Sequence, residues 1–199
     1  MMCGNNVMDA GYQQERLDAK WIVGFVDGEG CFHIALNRQP AMRVGWQVLP
    51  EFRVVQHNRN EQVLRQIQSF FGFGSVTVKN GDRKEFRVRG LENLTRVVEF
   101  FEIHSLCTTK KNDFLLFAKV IRMMQKGNHL TKTGLVDIAR ISLAMNSRQN
   151  TSASRILRDC TLDTNQGGKD TVRPSRRREE ATRNRDPPSR NQRSKKQQM

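Results

Sequence analysis

An acidic pair closes an apolar run at Trp21-Ile-Val-Gly-Phe-Val-Asp-Gly-Glu-Gly30. The run reads as a buried helix, and carboxylates at the tip of such a helix point to chemistry. Phosphodiester hydrolysis needs a water made nucleophilic and a leaving oxyanion neutralised. A divalent cation does both when held by a few protein carboxylates plus substrate phosphates. Glu29 is therefore the candidate catalytic residue and metal ligand, with the Gly28 carbonyl as a further donor and Mg²⁺ or Mn²⁺ as the expected ion. Asp27, one helix step aside, reads as a helix-end structural residue. Gly24 and Gly28 lie four apart and share one helix face. Lacking side chains, that face admits a second backbone at close range. Gly24, Phe25 and Gly28 are the expected dimer interface, where a two-fold axis would set a second Glu29 beside the first.

A second set of residues suits base recognition. Residues 31–38 alternate, with Phe32, Ile34 and Leu36 on one face and His33 and Asn37 on the other. Residues 46–56 form a second strand carrying Gln47 and Arg53. Pro50 within it predicts an edge or a bulge. Asn80-Gly81 marks a hairpin turn, flanked by Thr77 and Lys79 before it and Arg87 and Arg89 after it. Arginine and lysine read guanine, and asparagine and glutamine read adenine. The polar face is either an ordinary solvated sheet surface or a DNA-binding surface. The excess of Arg and amide side chains favours DNA. Arg38 and Arg43 flank the first two-strand connection and suit phosphates.

These side chains need a scaffold. Helical spacing covers residues 15–28, Asn60 to Phe71, Leu94 to Phe101, Phe114 to Ile121 and Leu130 to Met145. The order is helix, two strands, helix, two strands, then helices. It predicts an α+β fold with one four-stranded antiparallel sheet and helices on its apolar face. Phe100, Phe101 and Phe114 read as core. Composition changes near Asn146. The expected organisation is an N-terminal extension over 1–14, one domain over 15–148 and a basic tail over 149–199 that lacks apolar periodicity and should be disordered. That tail is either a solvated extension or a nonspecific phosphate-binding arm.

The chain has 34 Lys and Arg against 20 Asp and Glu, a net charge of +14 in 199 residues. Residues 151–199 hold 13 Lys and Arg and 6 Asp and Glu, so +7 lies in the tail and +7 in the body. A polyanion partner follows, nucleic acid ahead of membrane. No apolar run approaches the ~20 residues of a membrane span, and the N-terminus lacks the layout of a secretory signal. Cys3, Cys31, Cys107 and Cys160 are scattered, as are the four histidines, which argues against a zinc site or a disulfide framework. The expected setting is a reducing one, either bacterial cytoplasm or an organelle interior.

The ten-residue pattern resembles the motif of the LAGLIDADG homing endonucleases. Further segments carry the same resemblance: Pro50-Glu-Phe-Arg-Val-Val-Gln56, Phe70-Phe-Gly-Phe-Gly74, Thr109-Lys-Lys-Asn-Asp-Phe114 and Lys126-Gly-Asn-His-Leu-Thr131. Together they span roughly 15–148, and several motifs at matching spacing make the likeness specific. The resemblance implies an αββαββα core whose sheet saddles DNA. It also implies a homodimer acting on a long, nearly palindromic site, with the motif helices at the dimer interface. It assigns metal binding to Glu29, the ordering of active-site water to Gln56 and charge stabilisation near the scissile phosphate to Lys110, with Lys111 as an alternative register. Where relatives carry a basic residue after the Gln56 position, this chain has His57-Asn-Arg59-Asn. The implied function is an intron-encoded, site-specific double-strand DNA endonuclease. An intron RNA maturase and a noncatalytic DNA-binding protein are the alternatives on the same fold.

Overall fold

A computed structural model describes residues 17–145 and 150–164. The first helix, α1 (Ala19–Glu29), is capped by Asp18, whose carboxylate accepts the Trp21 N–H at 2.6 Å. Ile22 and Val26, one turn apart, are fully buried and fix which face of α1 meets the core. The helix ends because the chain turns straight into β1 (Gly30–Arg38), and that turn requires a glycine. A Cβ at Gly30 would lie 2.5 Å from Val26 Cγ1 and 2.8 Å from the Val26 carbonyl.

β1 pairs with β2 (Trp46–His57), which leads through a short 3-10 turn into α2 (Glu61–Phe71). Gly72, in the left-handed region at φ 73°, ends α2. β3 (Ser75–Asn80) and β4 (Arg83–Val88) form the expected hairpin, and Gly81 in its turn has φ 54°. Then follow α3 (Leu91–Ile103), α4 (Lys110–Gln125), α5 (Lys132–Ala144) and α6 (Thr151–Thr164). The fold is α+β, as expected, with one four-stranded antiparallel sheet in the order β1-β2-β4-β3.

Strand β2 is interior for only half its length. Phe52 to His57 pair with β4, whereas Trp46 to Glu51 have β1 alone as neighbour. Pro50, opposite Ile34, falls in that one-sided half, where its missing N–H breaks no second ladder. The helix-facing side of the sheet meets a phenylalanine cluster. Phe32, Phe52, Phe86, Phe101 and Phe117 are all at most 1% exposed. Phe32 lies 5.3 Å, ring to ring, from both Phe52 and Phe117. Each such side chain contributes about 1.5–3 kcal/mol by burial, against about 0–1 kcal/mol for an exposed ion pair. The apolar layer, not surface charge, holds the sheet in place.

The structure corrects one boundary. The expected disordered tail over 149–199 begins as a helix. Asn150 caps α6 by accepting the Ala153 N–H, and its amide donates to the Ser142 hydroxyl at 2.6 Å. Ala153 and Ile156 are buried where α6 packs on α5 and β1. The stripe Ala153, Ile156, Leu157 spans barely one turn between charged residues, so the composition of the whole tail conceals it. Residues 165–199 and the expected 1–14 extension lie outside the described residues.

Candidate active site and nucleic-acid interface

The end of α1 is built by a long-range clamp. Asp27 accepts the Cys107 N–H at 2.7 Å, the Thr108 N–H at 3.2 Å and the Thr108 hydroxyl at 2.8 Å. Partial desolvation raises the Asp27 pKa, but the hydrogen bonds from Cys107 and Thr108 and the nearby Lys110 charge outweigh it. The net shift is below the usual value of 3.8. The clamp ties the α3–α4 connection to the motif and sets the first residue of α4, Lys110, over the helix end. Lys110 Nζ donates to the Gly30 carbonyl and lies 3.4 Å from the Gly28 carbonyl. A cation at these carbonyls complements the negative end of the helix. Lys111 is exposed one residue further on, so Lys110 is the lysine brought to the motif.

Glu29, the last residue of α1, is exposed. Among the described residues no three His, Cys, Asp or Glu side chains gather as a metal cage. What Glu29 and the neighbouring carbonyls offer is an oxygen-only donor set at a helix C-terminus. That chemistry suits a hard cation that takes its remaining ligands from phosphate and water. The residues present fit such an ion if a second motif supplies another carboxylate. The Gly28 carbonyl is partly engaged by Lys110. Gly24 and Gly28 have open space where a Cβ would stand. On the same helix, Trp21 stacks on Phe25 at 4.7 Å while remaining 39% exposed.

The β1–β2 register pairs Gly30 with Val54. Gln56 therefore sits two residues past that pair, toward the end of α1. Its Oε1 accepts from Asn60 at 3.3 Å. His57 is occupied: its Nε2 pairs with Asp82 at 3.0 Å and its Nδ1 accepts the Arg59 N–H. It ties β2 to the hairpin turn, and Arg59 stands exposed on the 3-10 turn. Beside the hairpin, the Glu61 pKa is lowered by hydrogen bonds from Lys84 and Arg65.

The face of the sheet opposite the helices collects the other expected residues. His33, Gln47, Arg53 and Arg87 are half-buried, and Asn37, Thr77, Lys79 and Arg89 are exposed. Cross-strand pairing sets Asn37 against Gln47 and Arg53 against Arg87. An open groove of about 590 Å³ runs along this face past Cys31, His33, Asn37, Arg53 and Lys79 to the start of α6. Arg38 lies over the Trp46 ring at 5.3 Å. Arg43 is partly committed elsewhere, donating to the Leu130 carbonyl at 3.2 Å.

Sequence reasoning missed two residues of this face. Glu51 is 7% exposed and Glu85 is 1% exposed, and both lie among the arginines. Glu51 accepts from Arg53 at 2.9 Å and from Arg89 at 2.9 and 3.0 Å, while Glu85 pairs with Arg87. A signal was present: Glu-Phe-Arg occurs at 51–53 and again at 85–87.

An acid-tipped glycine helix, a lysine clamped over it and an arginine-rich sheet face thus meet in one α+β domain. The sequence pattern of the LAGLIDADG endonuclease family matches residues 22–121. The chain belongs to that family. The crystal structure of the homing endonuclease I-TnaI superposes with a TM-score of 0.70 at 48% identity, over 72% of this chain and 97% of that one. I-SmaMI, crystallised on an uncleaved DNA target with calcium ions, gives a TM-score of 0.70 at 30% identity over 72% of this chain and 50% of that one. A probable intron-encoded endonuclease of Neurospora crassa is 30% identical over 125 residues, 62% of this chain and 24% of that protein. The chain thus spans about a quarter of that curated relative, and 26% of a Podospora anserina protein encoded in ND4 intron 1.

Proposed function

We propose that this chain is an intron-encoded, site-specific DNA endonuclease that hydrolyses one phosphodiester bond in each strand of a long duplex target. The observation that carries the reading is the end of α1, where Lys110 is held on the Gly28 and Gly30 carbonyls, the residues on either side of exposed Glu29. I-SmaMI, bound to DNA in its crystals, supports duplex DNA as the partner. The sheet face bearing Asn37, Gln47, Arg53, Lys79 and Arg87 would take base edges, with Arg38 on phosphates. Relatives named for ND4 and cox1 introns support an intron origin and an organelle interior. No helix among the described residues is long and apolar enough to cross a membrane.

A bound Mg²⁺ or Mn²⁺ would polarise the scissile phosphate and acidify a water. Glu29 is the residue that would hold it, with the Gly28 carbonyl in reach once Lys110 turns to the phosphate. Lys110 offers positive charge to the oxyanion that develops there, and Gln56 offers an amide to orient water. One carboxylate per motif calls for a second copy, and the bare Gly24/Gly28 face is where it would dock. I-TnaI, 97% of which is covered by this chain, and I-SmaMI, only 50% of which is covered, frame the choice between a homodimer and a larger two-motif chain.

The test incubates purified protein with Mg²⁺ and the intronless allele of its host gene, beside Glu29→Gln. A discrete double-strand break made by the wild type alone is the expected result. Cutting by both would remove Glu29 from the metal site. Tight binding with no cutting by either would shift the reading to intron RNA as ligand.

A further inference from the structure

The tripeptide Glu-Phe-Arg appears at 51–53 on β2 and at 85–87 on β4. In each copy the phenylalanine enters the core, and Phe52 and Phe86 are both 0% exposed. Strand alternation then puts the Glu and Arg of each copy on the groove side. The register sets Arg53 directly against Arg87. Like charges opposite one another are unfavourable, and the two acids flank the pair along the strands: Glu51 two residues before Arg53 on β2, and Glu85 on β4 opposite Val55.

Glu51 works as a hub. Its Oε1 accepts Arg53 Nη1, its Oε2 accepts Nε and Nη2 of Arg89, and Arg87 Nε stands 3.8 Å away. A guanidinium has five N–H donors, so among the described residues Arg53 and Arg89 each keep an unused edge. Arg53 retains its Nε/Nη2 edge. Arg89, whose side chain is 61% exposed, retains its outer Nη1/Nη2 edge. Either edge matches the paired acceptors of guanine. An arginine with no such anchor gives up rotamer freedom when it meets a base, and a phosphate attracts it equally well.

We propose that Glu51 is a specificity-determining positioning residue, holding Arg53 and Arg89 so that their free edges face base pairs rather than phosphates. This rests on duplex DNA being the ligand of this sheet face. Glu51 itself touches no base. It trades general affinity for selectivity by cancelling part of the charge of the arginine cluster and by fixing its geometry.

The experiment selects sequences from a pool of randomised duplexes. The full chain is used in calcium to hold back cleavage, comparing wild type, Glu51→Gln, Arg89→Ala and the double variant. In Glu51→Gln, the base preference at one or two neighbouring positions should fall by about tenfold, the worth of one paired arginine–base contact. Binding of random duplex should strengthen, with a log–log salt slope steeper by about one. In the Arg89→Ala background, Glu51→Gln should change nothing further at the Arg89 position. A folded Glu51→Gln variant that selects the wild-type sequence overturns the proposal. So does Arg89→Ala with every preference intact, whether or not Glu51→Gln folds. A wild type that selects no sequence removes the DNA reading itself, which tells the two failures apart.

Discussion

Asp27 and Thr108 lie 81 positions apart and are joined by two hydrogen bonds, the Thr108 hydroxyl and N–H both donating to Asp27 Oδ1 at 2.8 and 3.2 Å. This bond pair, with the Cys107 N–H, converts the first acid of the motif into a clamp for the loop that delivers Lys110. Asp27→Asn should lower stability by about 1 kcal/mol and slow cleavage by about tenfold or more, because Lys110 loses its register. Its pKa is depressed in the folded state, so its contribution is fully present above the ordinary value of 3.8 and fades as pH falls through the lower folded value. Acid denaturation of Asp27→Asn should accordingly be flatter than that of the wild type below about pH 4.

Glu29 is exposed, and among the described residues no hydrogen bond or ion pair holds its side chain. Glu29→Gln should leave the melting temperature within a degree or two and keep DNA affinity, while cleavage falls by at least about a hundredfold. Cleavage assays and binding isotherms on one preparation separate these effects.

Lys110 and Lys111 are adjacent in sequence but differ in position. Only Lys110 reaches the carbonyls of Gly28 and Gly30. Lys110→Met should cut the rate at saturating DNA by about a hundredfold. Lys111→Met should change it by less than about threefold, within the range of a surface charge. Equal losses from both would place the active-site lysine elsewhere.

Gly24 has nothing within 4 Å of a would-be Cβ. Gly24→Leu should therefore fold normally as a single chain yet weaken self-association by at least tenfold, because the leucine holds a second helix away. Sedimentation across a concentration series reads this directly, and an unchanged dimer would place the interface elsewhere.

Ile156 is 1% exposed. If α6 belongs to the domain, Ile156→Ala should cost about 2–4 kcal/mol in urea unfolding. A cost below about 0.5 kcal/mol would return α6 to the status of an appended segment.

The α1 motif, the alternation of β1, the Asn80-Gly81 hairpin and the phenylalanine core were legible because each is a local pattern, with 3.6-residue or two-residue spacing closed by a turn signal. The role of Asp27 was half legible, as a structural acid with no visible partner. Helix α6 was hidden because its apolar stripe is short and only the surface of α5 and β1 makes it worth burying. Glu51 and Glu85 are invisible to composition, because a count of charges treats each arginine as free.

By itself, the sequence determined which residues face the core, where the glycine helix ends and which family the motifs resemble, since all of these rest on neighbours along the chain. Tertiary structure alone decided which arginines are held and which lysine meets the motif. Strand register brings Arg53 opposite Arg87 and leaves Glu51 within reach of Arg89. The Asp27 clamp brings Lys110 across 80 residues to the carbonyl of Gly30. Both depend on pairing between segments distant in sequence, and no local periodicity encodes the partner.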